Sequence, residues 1–393
     1  MMNVLFLGHS ALSGGAEYCL DTTLRNLDRS QVQPFVVFPS DGPMADRARA
    51  LDIPTAVMPL AWWMLYQPCL WEWKNRLLSL GSITNLVKLI KKQQIDVVYT
   101  NTACLFEGVV AARKAGVPHV THIHEVLEKE YMSPRLFSLR HIVQSYYYNS
   151  RNVVFESTAS SEIARKWLKN DTMFQQKTHV VSNSSRFSLA DVPEDLPSAK
   201  QTAKAELAAQ FGLDAGKTWV LWIGRFSERK NPQMLLRAAA QLSPERADFQ
   251  VLFIGAGPLE DSMRETIEAQ NLQACCRIVP FQQDVKPLLT AGDALVLTSN
   301  EESFGLVLVE AGMFRLPVIA TRVQGPSEIL QPNQTGFLVD VDDSVQLMVF
   351  LRELLQNTTR RQEMGQRNQQ RILELYDPKK NTQKLEEILL ERR

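Results

Sequence analysis

The chain has 393 residues, long for one domain and ordinary for two. Hydrophobic residues make up 45% and charged residues 22%, the balance of a globular protein with ample core. With 43 Lys and Arg against 43 Asp and Glu, the formal net charge is zero, which gives no reason to expect nucleic acid or an acidic macromolecule as partner.

Charge is uneven along the chain. Residues 1–190 carry 20 Lys and Arg against 15 Asp and Glu, so the rest is correspondingly negative. A scatter of surface charge explains this, and so would an anionic acceptor or membrane surface beside the N-terminal half. Cys19, Cys69, Cys104, Cys275 and Cys276 show no metal-binding spacing and read as buried free thiols of a reducing compartment. The start, MMNVLFLGHS, lacks the basic and long apolar regions of a signal peptide and reads as a first strand. No apolar run reaches the roughly 18–20 residues that span a bilayer. The expectation is a cytoplasmic protein, with membrane contact limited to the periphery of the inner face.

Strands are expected at 3–9, 34–39, 55–60, 96–101, 119–124, 152–157 and 179–183, with helical patterns such as AEYCLDTTLRNL, ITNLVKLIKKQQ and FEGVVAARKAG between several of them. Near-continuous apolar strands separated by helices predict a parallel sheet covered on both faces. From about 184 to 217 the alternation breaks. SSRFSLADVPEDLPSAKQ is polar and proline-bearing and reads as a linker, and TAKAELAAQFG as a short helix. Strands then recur at 218–224, 249–255, 276–281, 294–299, 317–321 and 336–340, before a helical tail from about Ser344 that Pro378 interrupts. The pattern predicts two doubly wound, Rossmann-like α/β domains facing a central cleft, the usual ligand position. The expected divisions are 1–190, 191–375 and a terminal helix, 376–393, that crosses back to the first domain.

The stretch SNEESFGLVLVEAGMFRLPVIAT (299–321) carries Glu302 and Glu310 on either side of a run apolar enough to be buried. A helix expected from Phe304 to Phe314 leaves Glu302 in the loop at a strand's carboxyl end and Gly305 in the first helical turn. There, a missing Cβ would let a phosphate approach free backbone amides. Glu310, six positions on, would lie on the order of 9 Å further along, a suitable distance for ribose hydroxyls. In WIGRFSERKNP (222–232), Arg225 and Lys230 follow another strand, where two cations would neutralise a diphosphate. Gly14 and Gly15 precede a helix in GHSALSGGAEYCL, a spacing that is neither a dinucleotide fingerprint nor a P-loop; either a ligand approaches them or a tight turn needs them.

THIHEV (121–126) puts His122 and His124 on one side of a strand, with His124 nearer its end and better placed to face a cleft; a core role is the alternative. Asp340 and Asp342 in VDVDDS suggest a metal pair, but a helix cap before VQLMVFL is the plainer reading. GAGP (255–258) is a weak phosphate-loop signal. Four tryptophans, Trp62, Trp63, Trp71 and Trp73, crowd residues 61–76, a loop that would touch an acceptor, a membrane, a core or another copy of the chain.

These residues together resemble the retaining glycosyltransferases of family four (glycosyl transferases group 1), which have the GT-B fold. The likeness covers nearly the whole chain and is most specific in GRFSERKN and EESFGLVLVEAGMFRLPVIA, with SGGAE, THIHEV, GAGPLE and TGFLVD in register. It implies transfer of a hexosyl-type sugar from a nucleotide-diphosphate sugar donor to a hydroxyl of a glycan or lipid-linked acceptor, with retention, in polysaccharide or glycoconjugate synthesis. Arg225 and Lys230 would grip the diphosphate, Glu302 the sugar hydroxyls and Glu310 the ribose. The amides of Phe304, Gly305 and Leu306 would hold phosphate and sugar. Gly14 and Gly15 would lie against the donor phosphate, His124 near the sugar, and the backbone near Phe281 at the base. The resemblance implies no cofactor, no metal and no nucleic acid. VVSNSSRF departs from the family's frequent Asn-Gly-Val-Asp run at Ser184, Ser185 and Arg186, and the 61–76 loop matches nothing general. A non-catalytic sugar-nucleotide-binding scaffold and a GT-B sugar epimerase are the alternative readings.

Overall fold

The computed structural model describes residues 1–62, 64–65, 72–128, 133–134 and 138–391. It divides into unit 1, Met1–Arg186 with Pro378–Arg393, and unit 2, Phe187–Asp377.

Unit 1 contains β1 (Met2–Leu7), β2 (Val32–Phe38), β3 (Thr55–Val57), β4 (Met64–Leu65), β5 (Val97–Thr100), β6 (His119–Ile123), β7 (Ser133–Pro134), β8 (Asn152–Phe155) and β9 (Thr178–Val180). Its helices are α1 (Gly15–Asn26), α2 (Pro43–Ala50), α3 (Glu72–Lys92), α4 (Glu107–Ala115), α5 (Leu139–Asn149), α6 (Thr158–Leu168) and α7 (Asp171–Lys177). Seven strands form one parallel sheet in the order β3-β2-β1-β5-β6-β8-β9, and β4 pairs with β7 antiparallel.

Unit 2 contains α8 (Leu196–Phe211), β10 (Thr218–Ile223), α9 (Pro232–Leu242), β11 (Phe249–Gly255), α10 (Glu260–Ala269), β12 (Cys276–Pro280), α11 (Lys286–Ala291) and β13 (Ala294–Leu297). It continues with α12 (Leu306–Met313), β14 (Val318–Thr321), α13 (Gln324–Ile329), β15 (Gly336–Val339), α14 (Ser344–Gln356) and α15 (Thr358–Leu375). Its six strands are all parallel, in the order β12-β11-β10-β13-β14-β15. The last helix, α16 (Pro378–Leu390), belongs to unit 1.

Both sheets are buried on both faces, and the alternation of side chains shows why the strands read as continuous apolar runs. In β10, Trp219 and Leu221 enter one cluster with Leu295, Leu297 and Ala320. The intervening Val220 and Trp222 enter another with Val296, Ile319 and Phe337. A side chain that points to either face finds a helix layer, so both register positions are mostly apolar, and polar exceptions such as His119 and Thr121 in β6 are buried with hydrogen-bond partners.

In each sheet the chain winds outward in one direction, then returns to the other side of its first strand. The reversal falls between β1 and β5 in unit 1 and between β10 and β13 in unit 2. Loops leaving such neighbours at their carboxyl ends diverge and leave a crevice, which is where doubly wound sheets bind ligands.

The divisions fall at Arg186/Phe187 and Asp377/Pro378, not at the 190/191 and 375/376 expected from sequence. Packing accounts for each. The Arg186 guanidinium lies 4.1 Å over the Tyr18 ring of unit 1, whereas Phe187 meets Phe314 of unit 2 edge-on at 5.4 Å. Tyr376 packs on Phe304 of unit 2 at 5.6 Å, and α16 docks in unit 1 through Glu386 Oε1, which accepts from the Asp28 amide at 2.6 Å. Asn381 Nδ2 donates to Ser184 Oγ at 3.1 Å, so the Ser184–Arg186 departure is occupied by contacts internal to unit 1.

The expected linker is shorter than read. Asp195 caps α8 by accepting from the Ser198 amide, and Pro197 lies in the first turn, where its missing N–H costs nothing. A proline read as a breaker is here a helix start, and Ala203 and Leu207 bury the inner face. Helix α12 begins at Leu306, not Phe304, because Gly305 takes φ +93° and interrupts the helical conformation as its N-cap. Glu310 is therefore only four positions into the helix, about 6 Å along its axis.

Candidate functional site

In unit 2 the loops after β10 and β13, the two strands at the sheet's reversal, are laced together. Thr298 Oγ1 donates to the carbonyl of Asn231 at 2.7 Å and accepts from Trp222 Nε1 at 2.9 Å. The Asn300 amide donates to the Arg229 carbonyl at 2.8 Å, and Asn231 Nδ2 donates to Asn300 Oδ1 at 2.9 Å. Asn231 itself holds a left-handed conformation, φ 45°, and caps α9 through the Met234 amide. A side chain that tolerates this region while capping and bridging at once explains why Asn stands between Lys230 and Pro232.

Across this seam Lys230 Nζ donates directly to Glu302 Oε2, which also accepts from Ser299 Oγ at 3.1 Å. Both groups are largely buried. Burial works to raise the Glu302 pKa, but the Lys230 and Arg229 cations and the two hydrogen bonds outweigh it and hold the carboxyl below its ordinary value. Burial pulls the Lys230 pKa down, against the opposing attraction of Glu302. The result is an anchored ammonium–carboxylate pair where the loops after β10 and β13 meet. Arg225 stands at the start of the same loop, exposed and without an ion pair among the described residues.

The backbone around Gly305 is tightly determined. The Glu302 carbonyl accepts from the Gly325 amide at 2.8 Å, and the Phe304 side chain, 4% exposed, turns into the core. What remains at the start of α12 is main chain: the amides of Phe304, Gly305 and Leu306. Glu310 is 3% exposed within that helix. Phe281 follows the edge strand β12 and is 58% exposed. Three strand spacings, about 14 Å, separate β12 from β13.

GAGP serves the chain itself. Gly255 and Gly257 have φ of +154° and +157°, and a Cβ at either would collide with the backbone of Gly224 or Phe226. The Phe226 amide donates to the Ala256 carbonyl at 2.9 Å. These glycines let one loop lie flush on another. The aspartates likewise resolve into separate duties. Asp343 caps α14 through the Gln346 amide, Asp342 accepts from Asn231 Nδ2 at 2.9 Å and from Arg237, and Asp340 pairs with Arg322. No group of three or more His, Cys, Asp or Glu placed to hold a metal occurs among the described residues.

In unit 1, Gly14 is the N-cap of α1 and Gly15 its first residue. A Cβ at Gly14 would run into the Glu17 carboxylate, which pairs with His9 Nε2 at 3.1 Å. At Gly15 a Cβ would meet nothing within 4 Å, so internal packing does not demand that glycine. His124 lies just past the end of β6, 9% exposed. Its Nδ1 is 3.0 Å from Glu156 Oε2 and its Nε2 is 3.0 Å from Asn101 Oδ1, while Asn183 Nδ2 also reaches Glu156. His122 and His124 do share a side, with ring centroids 4.1 Å apart. Burial, with the neighbouring His124, keeps His122 well below its usual pKa. Glu125 accepts from the Ala103 amide at 2.9 Å and the His124 amide at 3.0 Å, pinning the loop after β5.

Sequence reasoning singled out the charged residues and missed the neutral ones that hold them: Asn231, Ser299, Asn300, Asn101 and Asn183. Asn before Pro at a helix start was a legible signal for Asn231; nothing local marked the others. Cys19, Cys104, Cys275 and Cys276 are buried and in no disulfide among the described residues, as expected. Cys69, Trp63 and Trp71 lie outside the described residues, and Trp73 falls in α3 and not in the expected loop; Trp62 Nε1 donates to the His9 carbonyl at 2.8 Å.

A family model of glycosyl transferases group 1 matches residues 203–371, and one of glycosyltransferase family 4 matches residues 13–184. The chain is 28% identical over 183 residues to an N-acetyl-alpha-D-glucosaminyl L-malate synthase of Bacillus anthracis, covering 47% of this chain and 48% of that protein. It is 36% identical over 166 residues to a D-inositol 3-phosphate glycosyltransferase of Arthrobacter, covering 40% and 39%. These matches span about half or less of the length of each relative. Among solved structures, Anabaena Alr3699/HepE in complex with UDP and glucose superposes with a TM-score of 0.81 at 24% identity, over 99% of each chain. A glycosyltransferase of Rickettsia africae gives 0.79 at 18% identity, over 100% of this chain and 99% of that one. Two family models that together span most of the chain, and two parallel doubly wound sheets matching GT-B structures end to end, lead to one conclusion: the chain belongs to the group 1, family-four glycosyltransferases and has the GT-B fold.

Proposed function

We propose that the protein transfers a hexosyl-type sugar from a nucleotide-diphosphate sugar to a hydroxyl of a glycan or lipid-linked acceptor, with retention at the anomeric carbon and without a metal. The observation that carries this reading is the direct Lys230–Glu302 pair beside the exposed Arg225 and the glycine-capped start of α12. Family membership and the UDP and UDP-glucose bound to Anabaena HepE support the donor class.

Lys230 and Arg225 would take the diphosphate, and the amides of Phe304, Gly305 and Leu306 would add donors with no reorganisation during reaction. Glu302 would turn from Lys230 to the sugar hydroxyls, Glu310 would meet the ribose, and the backbone at Phe281 the base. Gly15, which no internal contact crowds, leaves room for the donor phosphate in unit 1, next to Gly14. His124 has both ring nitrogens engaged by Asn101 and Glu156, so we assign it to holding the sugar's surroundings and not to proton transfer. As the anomeric C–O bond to the diphosphate breaks, its electron pair goes to the phosphate oxygen. The acceptor hydroxyl then bonds to the anomeric carbon from the same face and gives its proton to that oxygen.

Calorimetric titration of the full chain with UDP, GDP and ADP, with and without EDTA, tests the site. Binding of one diphosphate, indifferent to EDTA and lost in Lys230→Ala, is the expected result. Binding of none, or binding abolished by EDTA, would overturn the assignment. Turnover of the matching nucleotide-sugar by the purified protein separates a transferase from a scaffold that keeps the fold.

A further inference from the structure

We propose that Gly325 and Tyr376 are positioning residues for the nucleotide, holding from behind the Phe304–Leu306 turn; the inference rests on the donor reading above. Both lie in unit 2, and neither stands on the loops that carry the charged residues.

The turn is clamped on two sides. On one, the ring of Phe304 is buried and meets the ring of Tyr376 edge-on, with centroids 5.6 Å apart and planes at 73°. Tyr376 is itself 5% exposed and ends α15, its amide donating to the Ile372 carbonyl at 2.9 Å. On the other side, a Cβ on Gly325 would overlap the Cα, carbonyl carbon and oxygen of Phe304. The Gly325 amide completes the clamp by donating to the Glu302 carbonyl at 2.8 Å. Only a residue without a side chain lets the first turn of α13 lie flush on this turn.

The consequence concerns the three amides that follow Glu302. A main-chain donor helps a phosphate only if it already points where the oxygen will be, because reorganisation after binding consumes the gain. Gly305 is the most permissive residue in the turn, at φ +93°, so the segment's direction must be imposed by its neighbours. The ring of Tyr376 and the bare Cα of Gly325 impose it. The contact is made by the ring, so its hydroxyl should be dispensable.

The test is calorimetric titration of the full-length variants with whichever of UDP, GDP and ADP the parent protein binds. Tyr376→Ala and Gly325→Ala should each weaken binding about tenfold or more, and Tyr376→Phe should restore it to within about twofold of the parent. Tyr376→Leu, which keeps apolar volume but not the ring edge, should lie between and replaces the alanine variant if that one does not fold. Leu351→Ala opens a cavity on the opposite face of the same sheet, where Leu351 is 1% exposed. It should lower the melting temperature while leaving nucleotide affinity unchanged. Parent-like affinity in the Tyr376 and Gly325 variants would overturn the positioning role, as would an equal loss in Leu351→Ala. No binding by the parent protein would overturn the donor reading, and this inference with it.

Discussion

Glu302→Gln should tighten binding of the bare nucleoside diphosphate while it cripples transfer. Lys230 already has a carboxylate partner within the protein, and an arriving diphosphate has to share that cation and tolerate the anion beside it. Two unit charges about 4 Å apart attract by about 4 kcal/mol at an effective dielectric of 20. Desolvation of a largely buried pair returns much of this, so the net competition relieved by glutamine is about 1 kcal/mol, or roughly fivefold in affinity. The transfer step moves the other way. Glu302 is assigned to sugar hydroxyls, and a hydrogen bond to a charged group contributes about 1.5–3 kcal/mol, so loss of the charge should slow transfer by about ten- to a hundredfold. Titration with the bare diphosphate and initial rates with the nucleotide-sugar, run on parent and variant, separate the two effects. Nucleotide binding weakened tenfold or more in Glu302→Gln would refute the competition, because it would mean that the carboxylate supports the phosphate site.

Other perturbations have equally definite expectations. Gly305→Ala forces a Cβ into φ +93° within 3.1 Å of Leu308 Cδ1, and should cost about 1–2 kcal/mol in urea unfolding besides weakening nucleotide binding. Asn231→Ala removes a cap, a left-handed residue and the bridges to Asn300 and Asp342; a loss of about 1–2 kcal/mol is expected, and Asn231→Gly should recover only the backbone part. Burial lowers the His119 pKa from 6.5 to about 3. The folded chain therefore keeps this imidazole neutral while the unfolded chain protonates it, so stability should fall as the pH drops from about 6.5 towards 3. One such group contributes a slope of up to about 1.4 kcal/mol per pH unit, and His119→Gln should flatten that limb of the unfolding-midpoint profile.

Much of this molecule was legible along the chain. Alternation of apolar strands with helical periods predicted two doubly wound sheets, because a strand buried on both faces is mostly apolar along its length and a covering helix is apolar at every third or fourth position. The strand ends were located well enough to put Arg225, Lys230 and Glu302 in loops at carboxyl ends. Gly305 stands out in the sequence, but its left-handed conformation does not, so the expected helix begins two residues before the observed one. Proline marks both the end of one segment and the first turn of the next, so the proline-bearing stretch that reads as a linker gives no sign that Pro197 lies in the first turn of α8.

What the sequence determined by itself is which segments become strands and helices and which polar residues lie between them, since period and turn chemistry act over a few neighbouring residues. Tertiary structure alone decided which loops meet. Lys230 reaches Glu302 across 72 positions only because β13 returns to the side of β10 that β11 does not occupy. Phe281 stands on the far edge, three strand spacings away, for the same reason. Strand order follows from how helices and strands pack around one core, so the partners of a charge are set by contacts distant in the chain and leave no mark in the residues beside it.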